Sequence, residues 1–88
     1  MSKHLTAVTV NSFYMNIREI LQLALLTNAT RIIAIHNHPG GSLKPSHQDI
    51  EATWELKRAC ERMQIILWDH IIINSEGDLL SLRKKMKF

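Results

Sequence analysis

The sequence predicts an α/β fold: an α/β sandwich in the order β-α-β-α-β-β, with a mixed sheet and helices packed on it. Three observations carry this reading. Runs rich in β-branched residues occur at Leu5 to Val10, Arg31 to Asn37 and Ile65 to Ser75. Between them lie two stretches whose apolar residues recur at helical spacing. Alternating strand and helix is the pattern of an α/β architecture. A Glu76-Gly77 turn then joins the last long run to a short closing segment, which reads as a hairpin.

Leu5 to Val10 (LTAVTV) alternates weakly and reads as a strand that ends at Asn11-Ser12. Asn16 is a candidate cap for a helix from Ile17 to Asn28. Ile17, Ile20, Leu21, Ala24 and Leu25 fall on one face of it, with Arg18 and Gln22 on the other, and the face reads as core. Asn28-Ala29-Thr30 breaks the helix. Arg31 to Asn37 (RIIAIHN) is apolar on both faces until it reaches its histidine, as expected of a central strand covered on both sides. It runs out at Pro39, and Gly40-Gly41 makes the next loop permissive. A second helix is expected from Ser46 to about Gln64, with Asp49, Thr53, Leu56, Cys60 and Met63 forming one stripe. Ile65 to Ser75 is expected as one long strand or as two bent at Asp69, and Asp78 to Leu82 as the closing strand.

A chain of 88 residues makes a single domain, 1–88, and the 45% hydrophobic fraction argues against disorder. The net charge is +3, and Arg83, Lys84, Lys85 and Lys87 crowd one end. Such a cluster reads as a solvated end, with DNA contact the sharper alternative. Cys60 is the single cysteine, which leaves no disulfide framework and no cysteine-based zinc site and fits a reducing, cytoplasmic compartment. No apolar run approaches the roughly 20 residues that span a bilayer, so no membrane partner is expected. Met1 to His4 lacks a long apolar segment of the signal-peptide type.

The chemistry concentrates in His36-Asn37-His38-Pro39-Gly40-Gly41-Ser42-Leu43-Lys44-Pro45-Ser46-His47-Gln48-Asp49. Residues i and i+2 of a strand point to one face, so His36 and His38 can present two imidazoles to one point. Ser46 is a candidate N-cap, and Pro45 before it suits a helix start. Asp49 heads the inward stripe, apart from the solvated Glu51, Glu55 and Lys57. An inward carboxylate needs a donor, a cation or a metal. Two imidazoles, one carboxylate and an open position form a ligand set suited to catalytic Zn²⁺.

The spacing His-x-His-Pro-x₆-Ser-x-x-Asp resembles the metal motif of the JAB/MPN (JAMM) metalloprotease superfamily, whose fold is of the cytidine-deaminase-like type. The nearer resemblance is to the bacterial RadC-like branch, with Gly40 where that branch usually has Ser. Arg18-Glu19-Ile20, Asp69-His70-Ile71-Ile72 and Leu80-Ser81-Leu82 resemble further segments of that branch. The resemblance implies one Zn²⁺ per chain, held by His36, His38 and Asp49 with a water in the fourth position. It implies that Ser46 stabilises the oxyanion of a tetrahedral intermediate. It also implies a glutamate general base on an earlier strand. No acidic residue precedes Glu19, which falls on the first helix, so the expectation is a domain without the strand that carries that glutamate. The implied activity is zinc-dependent hydrolysis of peptide or isopeptide bonds. The alternative is a non-catalytic, metal-binding module in DNA repair. An exposed edge strand would favour a homo-oligomer.

Other readings fare worse. The string His-Asn-His matches HNH nucleases only by spelling, since their residues are dispersed through a ββα unit. Zinc deaminases need His-x-Glu and Pro-Cys-x-x-Cys, and neither occurs. Ser46 beside His47 at a helix start does not make a Ser-His couple, and His47 reads as solvated. Asp69-His70 reads as a structural hydrogen-bonded pair, with support of the metal from outside its ligand shell as the sharper alternative. Trp54 and Trp68 read as core, and Cys60 as buried and inert.

Overall fold

The structure, a computed structural model, describes residues 4–10 and 15–88. The expected strand end at Asn11-Ser12 and the segment Met1 to Lys3 lie outside them. Among the described residues the order is β1 (Leu5–Val10), α1 (Ile17–Leu26), β2 (Arg31–Asn37), α2 (His47–Arg62), β3 (Ile66–Ile73), β4 (Leu79–Ser81) and α3 (Leu82–Met86). The strands form one sheet in the order β1-β2-β3-β4, parallel except for β4, which runs antiparallel to β3. The mixed α/β architecture is as the sequence predicts, with α3 added.

Right-handed crossovers that step in one direction across a sheet leave their helices on one face. Accordingly α1 and α2 touch, and a single core lies beneath them. Ile20 and Ala24 of α1 and Leu56 and Cys60 of α2 meet Val8, Val10, Ile32, Ala34 and Leu67 of the sheet. The opposite face is only partly covered. Ile33 and Ile35 are half-buried there, and Leu5, Ile66, Trp68 and Leu79 are exposed. This corrects the expectation of a β2 covered on both sides. It also corrects Trp68 as a core residue: two guanidinium groups attend its ring, Arg83 at 4.6 Å and Arg31 at 5.5 Å. Trp54 is half-buried and meets Phe88 at 6.0 Å.

The helices begin where their caps place them and stop short of expectation. The Asn16 side chain accepts from Glu19 N at 3.0 Å and opens α1. The helix closes at Leu26 because the Thr27 hydroxyl turns back to Leu23 O and Asn28 adopts a left-handed φ of 56°. Leu25, still inside the helix but off the face that buries Ile20 and Ala24, lies half-exposed instead of in the core. In α2 the left-handed residue is Gln64, φ 58°, and the Ile65 N–H bonds back to Cys60 O. Met63 leaves the buried stripe at this point and is exposed.

β3 is continuous, with one irregularity that decides which side chains face the core. Ile32 pairs with Leu67 and Ile33 with Asp69, so Trp68 is an extra residue, a β-bulge. Strict alternation would put Leu67 and Asp69 on one face and His70 on the other. The bulge inverts this and sends Leu67, His70 and Ile72 inward. Asp69, left on the other face, accepts from Ser81 Oγ at 2.6 Å and from Arg83 N at 2.9 Å. Those bonds tie down the start of α3, which replaces the end of the expected closing strand from Leu82 onward. Part of the basic cluster is therefore a short docked helix: Leu82 is fully buried, and Arg83 Nη1 donates to Trp68 O.

The loop after β2 is tied to the β3–β4 turn. His38 N donates to Ile73 O, and Ser75 N donates to Gly40 O. Asn74, 6% exposed, donates to Gly41 O at 2.9 Å and accepts from Glu76 N and Asp78 N. Gly40 takes a positive φ of 84°, which a side chain would strain. Asn74→Ala is expected to lower the unfolding free energy by about 1–3 kcal/mol, since it leaves three backbone groups without their partner. A denaturant titration showing a loss under about 0.5 kcal/mol, the range of indifferent surface changes, would remove Asn74 from this role.

Cys60 is fully buried, and burial, with the Glu61 charge adding to it, pushes its thiol from 9.0 up to about 11. A raised pKa makes the folded state hold its proton longer than the unfolded one. Its contribution to stability is complete below pH 9.0 and is lost as pH rises toward about 11. At pH 8 the folded thiol should react with an aromatic disulfide at least about 100-fold more slowly than in denaturant. Equal rates would contradict its burial.

Candidate metal centre

His36 sits at the penultimate position of β2, on the face shared by Ile32 and Ala34. Hydrogen bonding across to β3 continues for one more residue, at His38. The two imidazoles therefore stay on the same side, edge to face, with centroids 4.8 Å apart. The loop then brings α2 back over them. Ser46 caps this helix: its Oγ accepts from Asp49 N at 3.0 Å, and Asp49 Oδ2 accepts from Ser46 N at 2.8 Å. This reciprocal capping box fixes the Asp49 side chain before any ligand is considered.

So held, Asp49 turns its carboxylate to the histidines. Oδ2 lies 3.0 Å from His38 Nε2, and Oδ1 lies 3.6 Å from His36 Nδ1. One donor atom from each of His36, His38 and Asp49 falls within 4.8 Å of the others. His36 and Asp49 are buried and His38 is half-buried. The structure thus brings together the three residues that the sequence marks as ligands.

Electrostatics keeps this group in the forms a cation needs. Burial pushes the Asp49 carboxyl up, but the Ser46 backbone N–H, the Ser46 side chain and the two histidines outweigh it and hold it below the usual range. The N-terminus of α2 favours the same negative charge. Burial lowers the His36 pKa; Asp49 opposes this and His38 assists it. A neutral imidazole and an ionised carboxylate are ligand forms.

Whether a metal fits is tested by atoms that nothing else satisfies. Both ring nitrogens of His36 are buried without a hydrogen-bond partner, and 3.6 Å to Asp49 is too long to count as one. Leaving such atoms bare costs about 1–3 kcal/mol each. Ligands of a tetrahedral Zn²⁺ at about 2.0–2.2 Å stand roughly 3.3–3.6 Å from one another; here each histidine has one nitrogen 3.0–3.6 Å from an Asp49 oxygen, and one donor atom from each residue lies within 4.8 Å of the others. The three side chains form a group that could hold a metal ion.

The other marked residues are placed as follows. Ser46 is at the rim, exposed, three residues before Asp49. Its oxygen accepts the cap bond, and a hydroxyl still has a proton to donate. His47 is solvated and pairs with Glu51 at 2.8 Å. Asp69 and His70 part company at the bulge. Asp69 accepts from the His70 backbone N–H at 2.7 Å but otherwise serves α3. The His70 ring lies in the core, stacked on His36 at 5.5 Å and within 2.7 Å of Thr53 Oγ1. Burial first, then His36, lowers its pKa to about 4, so it is a neutral ring. Two positions escaped the sequence reading as supports of the site. Thr53 was visible only as a member of the inward stripe, and Asn74 only as part of the strand run Ile65 to Ser75.

Comparison with known proteins agrees with this geometry. The family model described as a RadC-like JAB domain matches residues 2–87. A UPF0758 protein of Streptococcus sanguinis is 48% identical over 68 residues, 77% of this chain and 30% of the relative. One from Finegoldia magna is 44% identical over 80 residues, 91% of this chain and 35% of the relative. One from Streptococcus suis is 42% identical over 77 residues, 88% of this chain and 31% of the relative. The chain thus spans about a third of the length of these relatives. With strand order, ligand cluster and family match in accord, the chain belongs to the RadC-like JAB domain family.

Proposed function

We propose that His36, His38 and Asp49 hold one Zn²⁺ and that the domain serves zinc-dependent hydrolysis of peptide or isopeptide bonds. The observation that carries this is His36, whose ring nitrogens are buried without a hydrogen-bond partner, with Nδ1 3.6 Å from the capped carboxylate of Asp49. Bound there, zinc would supply Lewis acidity and a water of lowered pKa. The chain's own residues supply the ligand geometry and a hydroxyl donor. The β2 strand end and the capping box fix the three ligands. Ser46, whose oxygen is used as an acceptor by Asp49 N, keeps its O–H to donate toward an oxyanion at the rim. The loop from Pro39 to Lys44, which joins His38 to the Ser46 cap, is anchored through Asn74 and Ser75.

A second reading is supported by a specific feature. Asp49 is the one carboxylate in the ligand cluster among the described residues, so a separate proton-transferring carboxylate is not part of it. On that reading the domain is a metal-binding, non-catalytic module of a DNA-associated protein. For either reading we propose a cytoplasmic setting, which a single cysteine that is free and buried supports. No helix among the described residues is long and apolar enough to cross a membrane.

Elemental analysis of the purified chain after Zn²⁺ loading and desalting should give about one zinc per chain, lost in His36→Ala and Asp49→Asn. No retained zinc in the parent would end both readings. Cleavage of a fluorogenic peptide or an isopeptide-linked substrate, abolished by Asp49→Asn and reduced roughly 10²–10³-fold by Ser46→Ala, would establish the first. One zinc without cleavage, combined with salt-dependent DNA affinity that falls on neutralising Lys84, Lys85 and Lys87, would establish the second.

A further inference from the structure

Beneath the ligand cluster lies a buried layer that zinc binding alone does not account for. His70 and Thr53 are both 0% exposed. Thr53 Oγ1 stands 2.6 Å from the main-chain oxygen of Asp49 and 2.7 Å from His70 Nδ1. A hydroxyl has one proton and a carbonyl has none. Two oxygens this close need a proton between them, so the Thr53 hydrogen points at Asp49 O. His70 Nδ1 must then donate to Thr53 Oγ1. A neutral imidazole carries one N–H, which leaves Nε2 bare, and Nε2 is indeed buried without a partner. The His70 ring also lies nearly parallel to that of His36, 11° between planes.

We propose that His70 is a positioning residue for two of the three ligands, Asp49 through Thr53 and His36 through ring stacking. The proposal rests on the metal-binding reading and goes beyond it. The chain Nδ1–H to Thr53 Oγ1–H to Asp49 O ends on the carbonyl of the residue whose side chain is the ligand. It therefore pins the first turn of α2 from below, while the Ser46 capping box pins it from above. The flat contact with His36 limits rotation of an imidazole that has no hydrogen bond of its own to orient it. A ligating histidine usually owes its orientation to a bond from its second nitrogen; here a stacked ring takes that place. The two roles are separable. Phe in place of His70 keeps a ring face and abandons Thr53, while Gln keeps a donor and abandons the stack. The bulge at Trp68 is what makes either role available, because without it His70 would face away from the site.

Long-range ¹H–¹⁵N spectra of the metal-free chain read the His70 tautomer without any substitution, and Nδ1–H is expected. Zn²⁺ affinity, measured by competition with a chromophoric chelator, should fall about 10–100-fold in Thr53→Val, in His70→Phe and in His70→Gln, the usual cost of losing a support of this kind. Thr53→Ser should restore the affinity lost in Thr53→Val. The visible bands of the Co²⁺-loaded chain should shift in Thr53→Val and not in Thr53→Ser. An Nε2–H tautomer would overturn the proposal, as would a Thr53→Val chain with parent-like circular dichroism, Zn²⁺ affinity and Co²⁺ bands. A parent that binds no Zn²⁺ would overturn the metal reading itself and this proposal with it. Binding in the parent with indifferent variants would overturn this proposal alone.

Discussion

The carboxylate of Asp49 takes part in three interactions at once. Oδ2 closes the capping box with Ser46 N and meets His38 Nε2, while Oδ1 faces His36. The first interaction is local to α2 and would hold the side chain in an isolated helix start. The others come from β2 and the loop beyond it. Because the cap is made within the chain segment Ser46–Asp49, the aim of the carboxylate is set by bonds local to the helix start. The site consists of one capped helix start lying over one strand end. The loop connecting them is tied at Gly40 and Gly41 to the β3–β4 turn. Its first half is thus held by the sheet that carries the histidines, and its far end by the α2 cap.

The second determinant is the extra residue in β3. One added position at Trp68 inverts the face of everything after it, so that an imidazole rather than a carboxylate enters the core beside His36. A buried neutral histidine bonded to Thr53 is tolerated there; an unpaired Asp69 carboxylate in the same place would be costly. On the outer face Asp69 is used instead to start α3, which continues along β3 where the short β4 leaves off. One irregularity thus serves both the support of the ligand cluster and the closure of the sheet edge.

Much of this was legible in the residues. The four strands, both long helices, the Asn16 and Ser46 caps and the convergence of His36, His38 and Asp49 follow from periodicity and capping chemistry, which are local. What was not legible depends on partners remote in sequence. The bulge at Trp68 changes face assignments by one residue and leaves no compositional trace. α3 has five residues, too few for a periodic signal, and its anchor Asp69 lies 12 residues from Ser81. The half-covered second face of β2 was misread because Ile33 and Ile35 look like core residues whether or not anything lies over them. Leu25 was misread because the buried face of α1 runs through Ile20 and Ala24, and Met63 because a left-handed residue at 64 ends α2.

The central claim is that two imidazoles and one carboxylate converge on a single cation. X-ray absorption at the zinc edge of the singly loaded chain tests it most directly. A first shell of light atoms only, at about 2.0–2.2 Å, with the multiple-scattering signature of two imidazoles, is the predicted result. A sulfur neighbour at about 2.3 Å, or an imidazole count other than two, would contradict the account.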